Sequence, residues 1–198
     1  MSGKGVVGSG HGYALIHAFA EHGNNLAMQF LLERGADIEA RDREGHTPLL
    51  LASKCAQEAV VRLLLEQGAN ADASANDGRT SLHEASRQGS DSIVQLLLNK
   101  TSKLEATDGE SMTALLIAQE HERTVRLLVE RGADIEANDR EGQTARLLAV
   151  KDANEARIRL LMELGANVEA TDRWGNSVFH VAVKNGHKMI IRRQRSRY

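Results

Sequence analysis

The 198-residue chain is short of several things, and each shortage excludes something. It has one cysteine, Cys55, so no internal disulfide can form; this suits a reducing compartment and sets the expectation of a cytoplasmic or nuclear protein. No window approaches the roughly 18 uninterrupted apolar residues of a membrane span. The opening residues, with Val6-Val7 as their apolar core, do not read as a secretion signal. Neither sign of charge is in excess: 25 Lys and Arg against 27 Asp and Glu leave a net charge of −2, too balanced to steer the whole molecule to nucleic acid or an anionic membrane. Aromatic residues are scarce, with one Trp, two Tyr and three Phe. Recognition has to be local.

Signatures of chemistry are missing as well. Gly8-Ser9-Gly10-His11-Gly12 follows no strand and precedes no Lys-Ser or Lys-Thr pair, so residues 1–11 read as a flexible leader and not as a phosphate cradle. Of the eight histidines, His22, His46, His121 and His187 fall near turns with no second ligand at a zinc-like spacing. Cys55 falls near the end of an inner helix, in an exposed position, with no histidine tied to it, and reads as an inert thiol. Serine-nucleophile and dinucleotide signatures are absent. We therefore expect no enzyme, no catalytic residue, no metal and no cofactor.

What the chain has is a repeat. The block from Glu33 to Gly45 returns at Glu130 to Gly142 with a single exchange, Arg41 to Asn138. Looser copies place its glycine position at 35, 68, 101, 132 and 165, steps of 33, 33, 31 and 33. A fixed period of that size marks stacked units that bury their apolar faces on one another. Each unit has one grammar, clearest at Asp42 to Ala52 and Val60 to Ala69. Thr47 can cap a helix whose first residue is Pro48, and the second apolar run ends at Gly68, where a left-handed C-cap needs no Cβ. The pattern predicts turn, short helix, turn, short helix and an extended arm.

These residues resemble the ankyrin repeat, with its period near 33 and its Thr-Pro-Leu-His-x-Ala signature. The resemblance implies an all-α ankyrin-repeat solenoid of helix-turn-helix units with β-turn, hairpin-like arms. Its units fall at 12–41, 42–74, 75–107, 108–138, 139–171 and an incomplete 172–191, with no internal domain boundary. The turn glycine is Gly12, Gly45, Gly78, Gly142 and Gly175, with Ser111 in the fourth unit; the small inner-helix residue recurs as Ala18, Ala52, Ala85, Ala118, Ala149 and Ala182. Pro48 is the one proline, and Ala14, Ser81, Ala114, Ala145 and Val178 stand in its place elsewhere. His17, His83 and His180 occupy one register position, where the family's histidine makes a hydrogen bond in the turn region; Thr80 and His83 can form it here. The carboxylate pair Asp37 and Glu39 recurs with the arm, which marks it as structural.

Two departures stand out. Arg146 sits where a core leucine belongs, so unless its stem reaches outward the fifth unit is the expected weak joint. The short step removes two residues near Gln119 to Thr124, and the loss must fall at the inter-helix turn, because inside a helix it would rotate the apolar face by about 200°. Residues 192–198 carry four arginines in seven positions. This tail reads as a signal for nuclear import or phosphate binding, as a polar cap, or as the mark of a fragment from a longer array.

In this family the concave side, built from turn tips and inner helices, commonly binds proteins. The register places Arg43, Glu44, His46, Asn76, Asp77, Arg79, Glu110, Met112, Arg140, Glu141, Arg173 and Trp174 on the tips and Arg87 at an inner-helix end. The face mixes both charges, which favours a protein partner over nucleic acid. Tyr13 also falls on a tip. Trp174, flanked by Arg173 and neighboured by Arg140, is either a binding anchor or a cover for the array's apolar end. The expected function is a non-catalytic interaction module, an adaptor or scaffold for a protein of unknown identity, acting as a monomer or within a larger polypeptide. The alternatives are a structural fragment with no partner of its own, or a regulator that meets nucleic acid or phosphorylated ligands through the arginine tail.

Overall fold

The structure, a computed structural model, describes residues 15–118 and 120–187. The leader, Gly12, Tyr13, Ala14 and the arginine tail lie outside the described residues. Eleven helices and no sheet are present among those that are described. They group into two compact units, Met1–Lys103 and Leu104–Tyr198. The first holds α1 (Leu15–Glu21), α2 (Asn25–Glu33), α3 (Pro48–Lys54), α4 (Glu58–Glu66), α5 (Ser81–Gln88) and α6 (Asp91–Leu98). The second holds α7 (Ala114–Ile117), α8 (Glu122–Glu130), α9 (Ala145–Lys151), α10 (Glu155–Glu163) and α11 (Val178–Lys184).

The caps follow from the residues that occupy them. Thr47 Oγ1 accepts from Leu50 N at 3.3 Å with Pro48 opening the helix, and Thr113 does the same for Leu116 N at 3.4 Å. In the third and sixth units the recurring histidine closes the cap from the other side: Thr80 N donates to His83 Nδ1 at 3.1 Å and Ser177 N to His180 Nδ1 at 3.2 Å. His17 Nε2 instead lies 2.9 Å from Ala40 O, tying α1 to the arm of its own unit. The Gly-Ala pair that ends the second repeat is a Schellman motif: Gly68 N bonds Leu65 O at 3.3 Å and Ala69 N bonds Leu64 O at 2.9 Å, with Gly68 at φ +87°. Gly35, Gly132 and Gly165 repeat this geometry.

Within the first unit, α1, α3 and α5 pack in a row, α2, α4 and α6 form a second row, and each inner helix also packs on its own outer helix. Ala52 and Ala85, both fully buried, let the inner helices approach. In the second unit α9 packs on α10 and α11, and α7 on α8. Two ladders run through each unit. Tip to tip, Asn76 N donates to Glu44 O at 2.9 Å and Arg173 N to Glu141 O at 3.0 Å. Arm to arm, a carboxylate takes the next backbone N–H: Glu39 Oε1 from Asn70 N at 2.7 Å, Glu105 Oε1 from Asp134 N at 3.0 Å and Glu136 Oε1 from Asn167 N at 2.7 Å. Asp72 takes this role in the second repeat, accepting from the Ser102 and Lys103 amides. The arm carboxylates are thus structural, as their recurrence implies.

Several expectations need correction. The 33-residue step back from Ala52 and Pro48 lands on Phe19 and Leu15, not Ala18 and Ala14; Ala18 is half-buried and Ala20 is the fully buried residue of α1. The two-residue loss takes the last turn of the inner helix and is not confined to the connection. Helix α7 has four residues where α3 has seven, and Gln119 beyond it lies outside the described residues. The outer helix keeps its register, with Thr124, Val125 and Leu128 buried as Val60, Val61 and Leu64 are in α4.

Arg146 does not reach outward. It is 1% exposed at the position of Leu49, Leu82 and Leu115, and its Nη1 donates to Asn167 O at 2.9 Å. A second buried arginine was not anticipated: Arg157, 3% exposed, occupies the α10 position that Val60 fills in α4 and Ile93 in α6. Its Nε and Nη2 have no hydrogen-bond partner among the described residues, and burial pushes the guanidinium down to about 10. It is a cation on both sides of the folding equilibrium at neutral pH, so burial destabilises the native state there.

Arg157→Ile raises the stability of the second unit by about 1–3 kcal/mol in urea unfolding; a loss of stability contradicts the burial argument. Ser111 holds the left-handed tip conformation at φ +62° with a Cβ, and there the tip-to-tip bond, Arg140 N to Glu110 O, is stretched to 3.4 Å. Ser111→Gly gains about 0.5–1 kcal/mol, less than the full left-handed penalty because glycine also loosens the unfolded chain.

Candidate functional site

Each tip is a three-residue hairpin loop closed by its first aspartate. Asp42 N bonds His46 O at 3.1 Å, Gly45 N bonds Asp42 O at 3.1 Å, and Gly45 sits at φ +81°. Asp42 Oδ1 accepts from Glu44 N at 2.9 Å and His46 N at 2.8 Å. Asp108, Asp139 and Asp172 do likewise in their own turns. The third repeat has Ala75 at this position, and Asp77 supplies the side-chain acceptor for Arg79 N at 3.0 Å. The turn fixes its backbone through one aspartate, which leaves the residues beside it free to face outward.

The structure gathers seven of the register-selected residues of the first unit. Arg43, Glu44, His46, Asn76, Asp77, Arg79 and Arg87 line one cavity of about 400 Å³. Two further residues complete it: Lys54, at the end of α3, and Glu84, on α5. Glu84 was missed. Its signal was legible, since it is a carboxylate where the other units carry Leu51, Ile117, Leu148 and Val181. Glu84 is 3% exposed, ion-paired to Arg87 and 3.8 Å from Arg79 Nη1. In the second unit the tips carry a separate group. Arg140 Nη1 lies 3.4 Å from Glu110, Arg173 Nη1 donates to Arg140 O at 3.4 Å, and the Arg173 guanidinium covers the Trp174 ring at 5.3 Å. Trp174 is 62% exposed, so it shields little beneath it. Met112 is half-buried, its amide held by Asp108, and Glu141 lies 4.0 Å from Lys151 Nζ.

His46 does have carboxylates beside it, which sequence spacing did not reveal: Asp42 Oδ2 at 3.0 Å and Glu44 Oε2 at 3.3 Å from Nδ1. Both Asp42 oxygens are engaged inside the turn, and the same aspartate recurs beside Met112, Gln143 and Asn176, so closing the turn is its role. Cys55 caps α3 and is half-buried, less exposed than expected. Burial first, then the Glu21 carboxylate, raise its thiol above the ordinary value, with Lys54 opposing. Less thiolate means less reactivity.

The family profile and a solved structure match nearly the whole chain, and two curated proteins match about a quarter of it each. A family profile described as "Ankyrin repeats (3 copies)" matches residues 15–108, 69–139 and 112–193. The crystal structure of the ankyrin repeat domain of Bcl-3, described as a unique member of the IkappaB protein family, is similar over 92% of this chain and 85% of its own, at 32% identity and a TM-score of 0.83. An ankyrin repeat-containing protein of Schizosaccharomyces pombe is 43% identical over 44 residues, 22% of this chain and 21% of that protein. The potassium channel KOR2 of Oryza sativa subsp. japonica is 43% identical over 47 residues, 24% of this chain and 6% of the channel. The chain thus spans a small part of the curated relatives it matches. None of the described helices is long and apolar enough to cross a membrane.

The turn and arm aspartates set an acid limit. At Asp42, Asp72 and Asp172 burial raises the carboxyl, but hydrogen bonds outweigh it and hold each below the ordinary 3.8: from His46 and Glu44, from Ser102, Thr101 and Lys103, and from Asn176 and Trp174. A depressed folded value gives stability that is complete above the unfolded pKa and is lost as pH falls through the folded one. The urea midpoint should therefore hold steady from pH 7 to about 5 and fall below about pH 4. Asp72→Asn should lower the neutral-pH stability by about 1–2 kcal/mol and flatten the acid limb.

Proposed function

Because the chain belongs to the ankyrin repeat family, whose repeats are general protein–protein interaction modules, we propose that it is a non-catalytic adaptor or scaffold holding a protein partner against its turn tips and inner-helix ends. The observation that carries this reading is the cavity of the first unit, where residues chosen by register alone converge with Lys54 and Glu84. Such a surface has the mixed charge and the arginine content of protein interfaces. The histidines support the absence of catalysis: His17, His83 and His180 spend ring nitrogens on arms and caps. The partner is a protein, not nucleic acid or membrane. A cytoplasmic or nuclear setting rests on the lone cysteine.

In the second unit Trp174 is the proposed anchor. It is exposed, it projects from a tip whose backbone Asp172 fixes, and Arg173 orders its ring. Such a side chain loses little entropy on binding.

The test is affinity capture with three versions of the full chain. Arg43→Glu with Arg79→Glu should lose the proteins that the unaltered chain retains, while Arg62→Ala on the exposed face of α4 should keep them. A captured set indifferent to the tip substitutions, or lost with Arg62→Ala alone, refutes the placement. For Trp174→Ala, binding of a captured partner should weaken by about 2 kcal/mol at unchanged melting temperature. Unchanged binding with lowered melting temperature makes it a cover residue.

A further inference from the structure

The cavity between the second and third tips has an unequal set of charges. Its inner carboxylates have guanidinium partners: Glu84 has Arg87 and Arg79, and Asp77 Oδ2 lies 3.7 Å from Arg79 Nε, while Glu44, the outermost, shares the His46 ring nitrogen with Asp42. The cations are not all so occupied. Neither Arg43 nor Lys54 has an ion-pair partner among the described residues. The repeat supplies an internal control, because the same register positions recur in the second unit. There Arg140, the counterpart of Arg43, pairs with Glu110 at 3.4 Å; Lys151, the counterpart of Lys54, donates to Gln143 Oε1 at 3.2 Å and lies 4.0 Å from Glu141. The second unit satisfies these two cations internally, and the first leaves both facing the cavity.

We infer that this cavity receives an anionic side chain of the partner, held between Arg43 and Lys54, so that the recognised segment is acidic. The inference rests on the protein-binding reading and specifies the partner's chemistry. An entering cation would find Glu84 and Asp77 already paired, with only the exposed Glu44 at the rim, and would meet Arg43 and Lys54. An entering anion gains both and disturbs none. Glu84 matters indirectly: buried beneath Arg79 and Arg87, it holds these two guanidinium groups within the cavity lining. Arg43 offers a planar fork that matches a carboxylate or a phosphate, and Lys54 adds a point charge. The chemistry shared by an acidic residue and a phosphorylated one is therefore what the site reads.

Peptides selected from a displayed random library on the full chain serve as probes. Each is resynthesised with its acidic position as Glu, Gln, Lys or phosphoserine. The expected result is a shared acidic position at which Glu→Gln weakens binding about tenfold, with a loss that shrinks as salt rises. Arg43→Gln and Lys54→Gln should each weaken the Glu peptide and leave the Gln peptide unchanged. Phosphoserine binding tighter than Glu assigns a phosphorylated segment, and equal or weaker binding assigns a plain acidic one. Peptides that are lost on Arg79→Glu yet show no preference for an anion overturn the inference and leave protein binding at the tips intact. Peptides insensitive to every tip substitution, or a selection that returns none, count against protein binding at this face itself.

Discussion

The constraint on which the structure depends is the close approach of one turn tip to the next. A backbone amide at the following tip must reach the carbonyl that precedes the tip glycine, as Asn76 N reaches Glu44 O at 2.9 Å. That approach leaves no room for a side chain. A Cβ on Gly45 would lie 2.4 Å from Asn76 Oδ1 and 2.9 Å from Asn76 N, and one on Gly142 would lie 2.7 Å from Arg173 N. Glycine is needed there twice over, for its left-handed backbone and for its missing side chain. Where Ser111 breaks the rule, the contact opens to 3.4 Å. The arm carboxylates repeat the same logic at the other end of each repeat, taking a backbone N–H that would otherwise have no acceptor.

Under the proposed function, this arrangement separates stability from recognition. The first aspartate of the turn and its glycine hold the backbone, so the positions beside them can vary without changing the loop. Arg43 and Glu44 in one tip, Asn76 and Asp77 in the next, and Arg173 and Trp174 near the chain's far end are variants on one frame. Rigid presentation lowers the entropy lost on binding, which is how short exposed turns become useful surfaces.

Much of this was legible in the sequence because the repeat acts as its own alignment. The Thr47 cap, the Gly68 terminus and the irregular Ser111 could all be placed by counting. Glu84 and Arg157 were not found. Both occupy positions where neighbouring repeats carry apolar residues, and a charged residue in a helix is ordinarily taken for a solvated face. Arg146 was noticed because it stands where the family carries a core leucine and where Leu49, Leu82 and Leu115 stand here, whereas the Arg157 position varies among Val60, Ile93 and Thr124. The left-handed conformations of Ala56 and Ala153, both at φ +55°, were equally hidden. They sit in inter-helix turns where Gly23, Gly89 and Gly186 serve elsewhere, and alanine gives no local sign of that strain. The shortened helix α7 shows the limit of counting: a register gap locates a deletion but not which element yields.

In the proposed function, tips and inner-helix ends recognise while arms and outer helices support. Amide hydrogen exchange of the full chain with and without a bound partner tests this most directly. Recognition by the tips requires new protection at residues 43–46, 76–79 and 84–87, with no change along α4 and α6. Protection concentrated on α4 and α6, with the tips unchanged, would contradict it.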